Sequence, residues 1–183
     1  MSNPGYGVLL VSGRQTHQEN YAPAFAADPR CRLVGLSDES DLPRQRDELN
    51  RAYAAELDIP FITDLDEALT RSDVHIVSVC AEPERRARIV ARCARAGKHV
   101  YIDKPLSPYL HDAADAVAAV EEAGVRTQMF SFNHQPWALR AKAVIESGDL
   151  GDLVAIHGDN LFAKGPAGTA ILGRPRQAID PPV

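Results

Sequence analysis

The sequence predicts an α/β protein built on a doubly wound parallel sheet, and three observations carry that prediction. Short continuous apolar runs alternate with helix-length stretches along the chain. The helical stretches stop at proline or glycine. No internal repeat or low-complexity tract breaks the order.

The first strand is Val8 to Ser12 (VLLVS), apolar throughout, as a strand covered on both faces must be. A helix follows from His17 to Ala27 and is stopped by Asp28-Pro29. Arg32 to Ser37 is the second strand; Leu42 to Leu57 is helical, with Leu49, Tyr53 and Leu57 at i+4 spacing. Pro60 to Ile62 is a short strand. Thr63 reads as the N-cap of a short acidic-headed helix ending near Arg71. Val74 to Cys80 is the fourth strand. Pro83 opens a helix that runs to Ala96, with Gly97 as its C′ residue. His99 to Ile102, a helix from His111 to Ala123, and Arg126 to Phe132 continue the alternation. Pro136 to Ser147 is helical, and Leu153 to His157 reads as a seventh strand. In such a sheet ligands bind outside the carboxyl ends of the strands, which marks the loops after Ser12, Ser37, Cys80, Ile102 and Phe132.

Composition narrows the function classes. The 183 residues hold one well-buried domain and the beginning of a second. A formal charge of −5 argues against nucleic acid or an anionic membrane as the main partner. No run approaches the ~20 apolar residues of a membrane span, and the N-terminal segment lacks the pattern of a signal peptide. Cys31, Cys80 and Cys93 read as buried reduced thiols of a cytoplasmic protein. His75 and His99 fall within buried-strand patterns and read as satisfied core histidines. Arg85, Arg86, Arg88, Arg92 and Arg95 read as a solvated helix face. His157 and Asp159 share strand parity, but two candidate ligands do not make a metal site, and no metal is expected.

The first loop tests for a dinucleotide. A phosphate-cradling G-x-G-x-x-G maps onto Gly13-Arg14-Gln15-Thr16-His17-Gln18, in which only the first glycine is present. Two readings stand level. In one, helix-start amides with Arg14, Thr16 and His17 face a pyrophosphate; in the other, the loop has drifted and binds phosphate poorly. Asp38 follows the second strand directly, where an acidic residue accepts from ribose hydroxyls and repels a 2′-phosphate. It favours NAD over NADP.

The segment SDVHIVSVCAEPERRARIVARCARAGKHVYIDKPLS resembles the glucose–fructose oxidoreductase/inositol dehydrogenase (Gfo/Idh/MocA) family, whose run D-x-V-x-I-x-T-P…A-G-K-H-V-x-x-E-K-P-L it follows. Further likeness lies in AFAADPRCRLVGLSD and in FSFNHQPWALRAKAVIESGDLGDLVAIHGDN, so the resemblance runs from Val8 to about Gly168. It implies an NAD(P)-binding Rossmann domain over 1–133. It also implies that 134–183 form a linking helix and the first strand of an incomplete α+β substrate domain. The implied activity is hydride transfer between a nicotinamide and a sugar, inositol or similar polyol. Lys104 corresponds to the family's active-site lysine, with Asp103 in place of glutamate and a Lys104–Pro105 bond that is often cis. Ala81, Glu82 and Arg86 stand where the family has T-P-N-x-x-H beside the cofactor, and Glu82 there needs an arginine partner. Asn133 and His134 fall where the family lines the substrate pocket.

A lone second-domain strand leaves both edges unpaired. A longer chain, a second chain or self-association as a homo-oligomer would complete that sheet. The alternative to catalysis is a non-catalytic dinucleotide-binding or assembly module, suggested by the lost glycines and the missing half.

Overall fold

The computed structural model describes residues 5–159. Among them are six strands, β1 (Tyr6–Val11), β2 (Cys31–Ser37), β3 (Phe61–Ile62), β4 (Ile76–Val79), β5 (His99–Ile102) and β6 (Thr127–Met129). The helices are α1 (Gln18–Ala27), α2 (Arg44–Glu56), α3 (Leu65–Thr70), α4 (Pro83–Arg95), α5 (Leu110–Ala123) and α6 (Pro136–Glu146). All strand pairs are parallel, in the order β3-β2-β1-β4-β5-β6. The chain therefore reverses its direction of winding between β1 and β4, and the crevice outside their carboxyl ends is the ligand-binding position of such sheets.

Strand β1 shows why the sheet needs helices on both faces. Val8, Leu9, Leu10 and Val11 are all fully buried, and their side chains alternate between two cores. Leu9 and Val11 join α3, α4 and α5 through Leu65, Ile89, Val90 and Ala116. Val8 and Leu10 join α1 and α2 through Ala22, Tyr53 and Ala54. Each such buried aliphatic side chain contributes about 1.5–3 kcal/mol.

The described residues form two compact units that divide between Met129 and Phe130. The first holds the whole sheet; the second holds a 3-10 turn at Phe132–His134 and α6. No helix among the described residues is long and apolar enough to cross a membrane. Cys80 and Cys93 are buried and Cys31 half-buried; burial pushes the Cys93 thiol up to about 12.

Several elements differ from expectation. The N-cap of α3 is Asp64 rather than Thr63: its carboxylate accepts from the amides of Asp66 and Glu67 at 2.7 and 3.1 Å. Strand β6 ends at Met129, because Phe132 onward turns into the 3-10 segment capped by the Ser131 hydroxyl. Leu153 to His157 has no ladder, since no neighbouring strand offers it hydrogen bonds among the described residues. Asn160 and the loop beyond it lie outside those residues. His75 and His99 sit exposed at the amino ends of β4 and β5 rather than in the core. Each does the same task there: its Nδ1 accepts a neighbouring strand's amide, from Gly7 at 3.0 Å and from Arg126 at 3.1 Å.

Gly7 and Gly97 are required for different reasons. A Cβ on Gly7 would lie 1.7 Å from the Asp73 carbonyl oxygen, whereas Gly97, at φ 72°, has open space and only needs the left-handed conformation. Gly7→Ala is expected to cost at least ~2 kcal/mol in urea unfolding, and Gly97→Ala only about 1 kcal/mol. Equal losses would contradict the packing of β1 against Asp73.

Candidate active site

Strand β5 delivers a buried carboxylate and then an exposed lysine. Asp103 is 4% exposed, and its carboxylate accepts from three side chains. His17 Nδ1 stands 2.9 Å from both oxygens, the Tyr21 hydroxyl donates at 3.0 Å, and Arg86 Nη2 donates at 3.1 Å. An ionised carboxylate only accepts, so His17 Nδ1 carries the hydrogen. Burial pushes the Asp103 carboxyl up, but the His17 hydrogen bond and the Arg86 charge reverse that and hold it below its ordinary value. Burial together with Asp103 pushes the Tyr21 phenol up.

Arg86 also secures the far side of Lys104. Its Nη1 donates to the Pro105 carbonyl and its Nε to the Ala81 carbonyl at 3.0 Å. The Lys104–Pro105 bond is cis. The residues before and after Lys104 are thus fixed by one guanidinium, while Lys104 itself is exposed at the carboxyl end of β5. Ala81, expected beside the cofactor, is fully buried and contributes its carbonyl to this clamp.

A second hub closes the end of β2. Asp38, expected to face ribose hydroxyls, is 1% exposed. Its Oδ1 accepts from Arg85 Nη1 at 2.6 Å and the Glu39 amide at 2.9 Å. Its Oδ2 accepts from the Ser12 hydroxyl at 2.7 Å, Asn50 Nδ2 at 2.9 Å and Arg85 Nη2 at 3.1 Å. A carboxylate offers about four lone-pair positions, so Asp38 is saturated from within the fold. Arg85 and Arg86 are 8% and 2% exposed, which corrects the reading of the arginine run as a solvated face; Arg88 and Arg95 are exposed as expected. Glu82 meets the arginine it needed and a second one: Arg85 Nε donates at 2.7 Å and Arg46 Nη2 stands at 2.8 Å.

The first loop keeps its shape but spends its donors internally. Ser12 and Gln15 hold the left-handed conformation, at φ 64° and 59°, where glycine is usual. The Gly13 amide donates to Asn50 Oδ1 at 2.8 Å, and a Cβ on Gly13 would meet Tyr53 Cβ at 3.0 Å, so glycine serves the approach of α2 here. The buried Thr16 hydroxyl donates to the Gly13 carbonyl and accepts from the Gln18 amide. His17 is turned to Asp103, and Arg14 pairs with Glu56. Glu19 accepts from the Gln15 amide at 2.9 Å. Thr16 and His17 are therefore scaffold rather than free phosphate donors. The strand–turn–helix cradle suits a dinucleotide, which would exchange with Glu19 at the turn.

Asn133 and His134 share the 3-10 turn of the second unit, where the Ser131 hydroxyl accepts from the Asn133 amide at 3.1 Å. Ser12, Tyr21, Arg46 and Asn50 were not anticipated from sequence, and Arg85 only as a partner for Glu82. The available signal was the placement of two consecutive arginines, with Pro83, in the first turn of a helix just past a strand end.

Glu82 makes this network sensitive to acid. Burial pushes its carboxyl up, but Arg85 and Arg46 outweigh that and lower it from 4.5 to about 2. The folded form thus favours the ionised state, so this contribution is complete above pH 4.5 and is lost as pH falls toward about 2. In urea unfolding the stability gap between wild type and Glu82→Gln is expected to shrink steadily over that range; a gap independent of pH would contradict the assignment.

Comparison with known proteins agrees with the geometry. Residues 8–131 match the oxidoreductase family with an NAD-binding Rossmann fold. The chain is 34% identical to the uncharacterized oxidoreductase YhhX of Escherichia coli (strain K12) over 100 residues, 54% of this chain and 29% of that one. It is 26% identical to inositol 2-dehydrogenase of Salmonella paratyphi B (strain ATCC BAA-1250 / SPB7) over 97 residues, 52% of this chain and 29% of that one. Both matches thus span under a third of the relative's length. Among solved structures, GenD2 from gentamicin A biosynthesis, in complex with NAD, superposes with a TM-score of 0.70 at 26% identity, covering 81% of this chain and 41% of that one. With its parallel sheet, its β5 Asp-Lys-Pro and this match over most of its length, the chain belongs to the oxidoreductase family with the NAD-binding Rossmann fold.

Proposed function

We propose that this chain is the cofactor-binding part of an NAD(P)-dependent oxidoreductase acting on a secondary alcohol or carbonyl carbon of a sugar, inositol or similar polyol. The observation that carries the reading is the exposed Lys104 held between two groups, Asp103 and Pro105, that Arg86 fixes. The inositol 2-dehydrogenase relative supports the polyol class.

When bound, the nicotinamide supplies a hydride acceptor or donor. The chain's own residues do the rest. The Gly13 to His17 turn and the start of α1 would hold the pyrophosphate through backbone amides, aided by the half-exposed Arg14. Lys104 donates a hydrogen bond to the substrate oxygen and stabilises negative charge that develops on it as the carbon is oxidised or reduced. Asp103 stays ionised and accepts from His17, Tyr21 and Arg86, so it positions the lysine rather than exchanging protons with substrate. Asn133 and His134, in the second unit, are the further substrate-binding candidates of this reading.

A second reading, a dinucleotide-binding or assembly module without turnover, is favoured by one specific observation. The Gly13 and Gln15 amides of the turn are already taken by Asn50 and Glu19.

Fluorescence titration with NADH tests the shared part: saturable binding below millimolar concentration is expected, and no binding there would overturn both readings. Lys104→Ala then separates them. On a panel of polyols and sugars the variant is expected to lose about 100-fold or more in rate with little change in NADH affinity. An unchanged rate would remove Lys104 from the chemistry.

A further inference from the structure

We infer that Arg85 sets the cofactor selectivity of this chain: it withdraws Asp38 from the ribose and cancels the repulsion that would exclude a 2′-phosphate. The inference rests on the cofactor-binding reading above and goes beyond it by assigning a role to one residue.

A carboxylate at the end of the second strand discriminates in two ways. It accepts from the ribose 2′- and 3′-hydroxyls, and its charge repels a 2′-phosphate. Neither is available to Asp38 here. Five donor contacts fill its lone pairs, two of them from the guanidinium fork of Arg85, and the residue is 1% exposed. Its charge is matched at contact distance by Arg85. The carboxylates on either side are matched as well. Glu39 accepts from Arg85, Arg88 and Arg92, the last shared with Asp66 at the surface; Glu82 pairs with Arg85 and Arg46. A 2′-phosphate approaching the end of β2 therefore meets three paired carboxylates, with Asp41 exposed beyond them, and a 2′-hydroxyl finds no spare acceptor on Asp38. The two nucleotides are distinguished weakly.

Arg85 is the residue on which this turns, because the other donors to Asp38 (Ser12, Asn50 and the Glu39 amide) are neutral. Remove the guanidinium and Asp38 regains an uncompensated charge and about one open lone-pair position, which is the arrangement that selects NAD.

The test is a titration of wild type, Arg85→Met, Arg85→Gln and Arg85→Lys with NADH and with NADPH, each protein checked by far-ultraviolet circular dichroism. Wild type is expected to show dissociation constants for the two nucleotides within about tenfold of each other, and the Met and Gln variants to favour NADH by a further tenfold or more. Arg85→Lys keeps the charge and is expected to stay within about threefold of the wild-type ratio. A wild-type preference for NADH above about 100-fold would overturn the inference by itself, whether or not any variant folds. So would an unchanged ratio in a folded Met or Gln variant, with the cofactor reading left standing. Wild type that binds neither nucleotide at millimolar concentration would remove the cofactor reading, and the selectivity with it.

Discussion

Two consecutive guanidiniums in the first turn of α4 organise the carboxyl end of the sheet. Arg85 reaches back to Asp38 at the end of β2, and Arg86 reaches across to Asp103 at the end of β5. Charges this deeply buried are costly unless every donor and acceptor is met, and both hubs meet that demand with further side-chain partners. Ser12 and Asn50 complete the first; His17 and Tyr21 complete the second. Through those partners the loop after β1 and helices α1, α2 and α4 are held in one arrangement.

That arrangement explains what is left exposed. Asp38, Thr16, His17 and Ala81 are all at the cofactor crevice, yet each is engaged by the fold itself. Lys104 is not. Its neighbours are both bonded by Arg86, and Lys104 itself is exposed. The Asp103–Arg86 pair combines a short carboxylate with a long, forked cation. Lys104 thus stands exposed between two residues bonded by Arg86, and the Gly13 and Gln15 amides of the turn after β1 are bonded within the fold.

The fold was largely legible in the sequence because burial on two faces leaves a clear signature. VLLVS and VHIVSVC are continuous apolar runs, and Pro83 and Gly97 bracket α4 as capping requires. The Asp-Lys-Pro segment singled out Lys104, which is exposed at the end of β5. The hubs were not legible. Arg85 and Asp38 are 47 residues apart, and an arginine on a helix reads as solvated unless its partner is known. Asp38 was placed on the right strand end and given the wrong neighbour, for the same reason. Leu153 to His157 has strand composition, but a ladder depends on a second strand, and composition cannot supply one.

The claim on which the account rests is that the Arg85–Asp38 pair is a strong, buried coupling that the fold depends on. A double-mutant cycle with Arg85→Met and Asp38→Asn, read as unfolding free energies in urea at neutral pH, measures it directly. A coupling of about 2 kcal/mol or more is expected, with each single variant losing about 3 kcal/mol. A coupling within ~0.5 kcal/mol of zero would contradict it.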